Sequence, residues 1–177
     1  MEEIGIVCTT WSEYVNFFRQ HSETQPNPGA TAADIDAAEE RLGFHLPKQY
    51  VELLHAVNGW ELFNKSETLF GTEVIGTNDE HWLSARHELE ESIGMFGDKS
   101  MSDPDRYDIK PSASTEYPLR NHMIPLFNSP YSYNIVAAGG YANGESPVLT
   151  IFQYMSGNTR TYVDLHEFLD REVAMLT

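Results

Sequence analysis

Apolar side chains recur at helical spacing in five stretches of the chain, with a block of short, β-rich runs set before the last of them. In "TTWSEYVNFFRQH" Trp11, Tyr14, Val15 and Phe18 form one stripe, and Thr10 with Glu13 three positions on has the pattern of a capping box. This predicts an N-terminal helix over residues 10–21, ended by the turn-forming "SETQPNPGA". A two-helix module follows over residues 31–59, "TAADIDAAEERLGFHLPKQYVELLHAVNG". Thr31 and Asp34 stand as N-cap and N3, Ile35, Ala38 and Leu42 share a face, and Gly43 sits where a helix end favours a left-handed residue. Pro47 lacks the N–H that a first helical residue does not use, so a second helix is expected to start there. It turns Tyr50, Leu53, Leu54 and Val57 inward and ends at Asn58-Gly59, while Phe44 and Leu46 set the angle between the two helices.

"TLFGTEVIG" then reads as one or two strands broken at Gly71. "NDEHWLSARHELEESIG" is again helical, with Trp82, Arg86, Leu89 and Ile93 on one face and Gly94 as the expected stop. Residues 95–122 are polar and turn-rich, a connection whose length marks it as functional or mobile. "MIPLF" (123–127), "YNIVAAG" (133–139) and "PVLTIFQYM" (147–155) follow as strands, "TRTYV" offers a fourth, and the intervening turns suit an antiparallel meander. The chain closes on "DLHEFLDREVAML", where Asp164 and Glu167 make another capping box and Leu165, Phe168, Leu169, Val173 and Leu176 form the buried stripe. This order predicts an α+β fold: an antiparallel sheet of about four to six strands covered by helices mainly on one side, with residues 1–177 as a single domain.

Composition narrows the function. With 41% apolar residues in 177, the chain has enough to build one core, so disorder throughout is excluded. Its 27 acidic against 11 basic side chains give a formal charge of −16, which repels phosphate backbones and anionic lipid. Neither nucleic acid nor a membrane surface is therefore expected as partner, and a cationic protein is the natural complement. Cys8 has no second cysteine to pair with, and "MEEIGIVCTTWSEYV" has neither the basic start nor the apolar run of a signal peptide, so a cytoplasmic location is expected. No run approaches the roughly 20 apolar residues that span a bilayer.

Reactive constellations are sparse. His81 and His87 are six apart and fall on different helix faces; His87 and Glu91 are four apart, a spacing that also serves surface stability. There is no Gly-x-Ser-x-Gly elbow, and "GGYANGESP" lies between strands, without the helix N-terminus that phosphate binding uses. Paired carboxylates such as Glu39-Glu40, Glu90-Glu91 and Asp103-Asp105 suit solvated surfaces as well as acid–base work. The expectation is a non-enzyme with no catalytic residue, metal or cofactor, monomeric or weakly dimeric. Acidic segments with aromatic neighbours are the candidate partner surface: Asp79, Glu80, Trp82, Glu88 and Glu91 in one, and Asp103, Asp105, Tyr107, Asp108, Tyr131 and Tyr133 in and near the polar connection, with Trp60 a further anchor.

The run "DIDAAEERLGFHLPKQYVELLHAVNG" resembles the helix, "LGF-LP", helix, "NG" signature of the SUKH superfamily, the Smi/Knr family. "LFGTEVIG", "HMIPLF", "PVLTIF" and "VDLHEFLDREV" fall in the order that resemblance implies, so that it covers most of residues 31–176. At the turn after the central strand, "NSPYSYNIVAAGG" stands in place of the family's usual Gly-Asp-Gly. The resemblance implies an α+β fold and, in bacteria, an immunity protein that neutralises a toxin of a polymorphic toxin system, often a nuclease. In eukaryotes it implies a signalling adaptor, and an intracellular adaptor or regulator without a toxin is the alternative expectation.

Overall fold

A computed structural model describes residues 7–96, 119–130, 135–140, 151–155 and 158–177. Its helices are α1 (Trp11–His21), α2 (Ala32–Leu42), α3 (Lys48–Ala56), α4 (Glu80–Phe96) and α5 (Leu165–Leu176). Its strands are β1 (Thr68–Leu69), β2 (Leu119–Asn128), β3 (Ile135–Gly140), β4 (Ile151–Met155) and β5 (Asn158–Tyr162), paired antiparallel in the order β1-β2-β3-β4-β5. The class is α+β.

Local chemistry sets the helix ends. Thr10 accepts from the Glu13 amide while the Glu13 carboxylate accepts from the Thr10 amide, and Thr31 with Asp34 repeats the exchange at α2. Gly43 closes α2 at φ 79°, a left-handed conformation that costs glycine little. Pro47 precedes the first residue of α3 as its N-cap, one position before the start its fixed φ suggests, because the first helical hydrogen bond runs from Val51 N–H to the Pro47 carbonyl. At α5 Asp164 accepts from Glu167, and the Glu167 carboxylate reaches Val163 N–H, one residue earlier than a capping box requires.

Two other expectations are corrected. α4 continues through Gly94 to Phe96; a helical glycine costs only about 1 kcal/mol, which packing of the helix against its neighbours can offset. β2 starts at Leu119, paired with Gly140, so the polar connection is shorter at both ends than 95–122; residues 97–118 lie outside the described part. Of "TLFGTEVIG", Thr68–Leu69 forms the one strand expected ahead of Gly71, and from that glycine the chain folds into successive turns, with Val74 and Ile75 N–H both bonded to the Gly71 carbonyl.

The core lies where α1, α3 and α5 meet the centre of the sheet. Tyr14, Phe18, Leu54, Phe63, Phe127 and Phe168 are buried there, with the Phe127 ring 5.1 Å from Phe63 and 5.2 Å from Phe168. Pro125 pairs with Ala137 and Phe127 with Val136, leaving Leu126 as an extra, unpaired residue. A bulge of that kind puts neighbouring side chains on one face, so Ile124, Leu126 and Phe127 all join the core cluster. Met123 and Ala137 are also buried, outside that cluster, and α4 contacts both β2 and β3, with Arg86 Nη1 3.1 Å from the Met123 carbonyl.

Candidate functional site

A cleft of about 340 Å³ opens beside the β1 edge of the sheet. Trp60, Leu69 and Phe70 form its apolar floor, and Asn27, Asn58, Glu61, Glu73, Asp79, His81 and Asn128 bring polar groups to it. No single sequence segment holds these residues; five stretches between positions 27 and 130 converge.

The floor is tied from four directions. Trp60 and Leu69 exchange backbone hydrogen bonds of 3.0 and 2.9 Å, Phe70 N–H donates to the Leu126 carbonyl at 3.0 Å, and the buried Tyr50 hydroxyl donates to the Phe70 carbonyl at 2.6 Å. The Trp60 indole N–H donates to Thr24 Oγ1 at 3.0 Å, which locks its ring. Gly59, at φ 89°, and Gly71 form the narrow wall: a Cβ on Gly71 falls 2.5 Å from the Asn58 carbonyl oxygen, so the backbone approach requires glycine. Asn58 braces the turn by accepting from Thr72 N–H at 2.7 Å and donating to Thr72 Oγ1 at 2.8 Å. From the other side Arg41 of α2 donates to the Ile75 carbonyl at 3.0 Å and the Thr72 carbonyl at 2.5 Å. The module that carries the family resemblance thus holds the outer wall of the cleft.

Asp79 serves two purposes. Its Oδ1 accepts from His81 and Trp82 N–H, both at 3.0 Å, capping α4, and its side chain lines the cleft. Glu61 and Glu73 are exposed, and among the described residues neither they nor Asp79 has a cationic partner. Asn128 is 9% exposed and lines the same cleft, with no side-chain hydrogen bond to any described residue.

Of the candidate partner-surface residues read from sequence, the cleft takes up Asp79 and Trp60. Trp82 is 3% exposed and packs edge-on to Phe70 at 5.4 Å, so it is core rather than a surface anchor. Glu80 is exposed at the start of α4. Further along α4, Glu91 pairs with His87 at 3.4 Å with both side chains largely exposed. Burial pushes the half-buried Glu88 carboxyl up, and its Oε2 has no hydrogen-bond partner among the described residues. Asp103, Asp105, Tyr107, Asp108, Tyr131 and Tyr133 lie outside the described residues. Glu61, Glu73 and Asn128 were missed because no periodicity links them; only the Asn-Gly at 58–59 and the Gly at 71 mark in sequence where the wall forms.

Among the described residues no three His, Cys, Asp or Glu side chains converge as a metal site requires, and no helix is long and apolar enough to cross a membrane. Comparison with curated proteins finds no match. The helix-Gly43-Pro47-helix module, the antiparallel sheet and the terminal helix agree with a family match that spans residues 29–170: the chain belongs to the SMI1 / KNR4 family (SUKH-1).

Proposed function

We propose that this chain is a non-catalytic protein-binding domain that acts in the cytoplasm as an immunity protein, neutralising a cognate toxin by occluding it with an acidic surface. The family match over residues 29–170 carries the reading, since the SUKH resemblance implies that role in bacteria. Charge supports it: a surface drawn from a chain of −16 speeds encounter with a cationic partner and repels nucleic acid and anionic membranes. A nuclease has a basic groove built for phosphate, and carboxylates can occupy it in place of the substrate's backbone.

The test is co-expression of the chain with the product of the adjacent gene, reading growth and then recovery of the pair at graded salt. Restored growth and a complex that weakens as salt rises are expected. Growth that stays arrested, with no complex at low salt, sinks the reading and leaves the adaptor alternative.

A further inference from the structure

We propose that the cleft between Trp60, Glu73, Asp79 and Asn128 is a receptor for one arginine side chain presented by a partner protein. The proposal rests on the protein-binding reading above and names the chemistry that one of its surfaces accepts. Three observations converge. The cleft is preformed, its floor and walls held by hydrogen bonds from α2, α3 and β2, so little ordering is needed on binding. At about 340 Å³ it is near the lower end of the roughly 300–1,000 Å³ of ligand sites, a fit for a single long side chain rather than a folded element.

Its polar groups point the same way. Asn128, nine-tenths buried, lines the cleft with a side-chain amide that has no hydrogen bond to any described residue and is free to meet an occupant. Its Oδ1 is an acceptor, and Glu61, Glu73 and Asp79 add carboxylates that have no cationic partner among the described residues, so the acceptors call for a cation with several donors. The apolar floor of Trp60, Leu69 and Phe70 suits the methylenes behind a charged head. Guanidinium meets all three demands: a planar fork of five donors, permanent charge and weaker hydration than an ammonium group.

The probe is Nα-acetyl-arginine N-methylamide, titrated into the full chain labelled with 15N. The citrulline derivative, neutral and nearly isosteric, and the lysine derivative, charged but without the fork, are the comparisons. Saturable shifts are expected at the Gly59, Gly71 and Asn128 amides and at the Trp60 indole N–H, with arginine bound best. Affinity is expected to fall about tenfold when Glu61→Gln, Glu73→Gln and Asp79→Asn are combined, the last keeping the helix cap because asparagine caps as well as aspartate. Asn128→Ala is expected to weaken arginine and leave the little lysine binding unchanged, and dispersed spectra establish that each variant is folded. Shifts that do not saturate, that lie elsewhere, or that the citrulline or lysine derivative matches overturn the proposal. A flat titration beside intact protection from the toxin removes the receptor alone; failed protection beside a saturable titration removes the immunity role alone.

Discussion

Glu172 of α5 is 8% exposed and shares the Asn64 amide with the buried Glu67: Asn64 Nδ2 donates to Glu172 at 2.6 Å and to Glu67 at 3.0 Å. Burial raises the Glu172 carboxyl above the ordinary carboxylate range, against the Asn64 hydrogen bond, which lowers it. The folded state therefore holds this proton more tightly than the unfolded chain does. Its contribution to stability rises as pH falls from the raised value and is complete below the unfolded value of about 4.3. Glu172→Gln keeps an acceptor for Asn64 and removes a desolvated charge, so it is expected to stabilise the protein by about 1 kcal/mol at pH 7. Denaturant midpoints measured at pH 7 and again near pH 5 check the sign. The advantage shrinks on acidification, and a variant less stable than the parent at pH 7 contradicts the assignment.

Helix α2 acts on the cleft at a distance through one side chain. Arg41→Ala leaves the Ile75 and Thr72 carbonyls without their donor, with an expected cost of about 1–2 kcal/mol. Hydrogen exchange locates it: the Val74, Ile75 and Thr77 amides, bonded within that turn, are expected to exchange faster than those of α1. Arg41→Lys is expected to restore only part of the protection, because an ammonium group cannot span both carbonyls as the fork does. Helices were the most legible elements, since the Thr10, Thr31 and Gly43 caps act within four residues of themselves. Strand ends were less legible: Leu119–His122 joins β2 through pairing that begins with Gly140, a partner no local pattern announces. Trp82 carried two readings, a buried stripe and a surface anchor, and the helical spacing with Leu89 was the sound one, both being buried. The cleft was the least legible feature. Asp79 was singled out for its charge, while Asn128 reaches the site only because β2 pairs with β1, Asn128 opposite Thr68.

The whole molecule carries its charge at a cost. At −16 the folded chain repels itself more than the expanded one, so salt is expected to stabilise it while weakening its encounter with a cationic partner. Thermal midpoints in rising sodium chloride check the first effect, with about 2–4 °C for each kcal/mol of repulsion screened. A midpoint that falls with salt would mean that attractive pairs outweigh the net charge. The same edge that frames the cleft also governs how other chains meet the sheet. An open strand edge is a template on which a second backbone can add, the first step toward runaway polymerisation. Here β1 is two residues long, and Leu69 has already spent both of its backbone groups on Trp60. A visiting strand finds no ladder to extend on that border unless it first pries Trp60 away. Recognition there falls to side chains, which discriminate between partners where bare backbone would not.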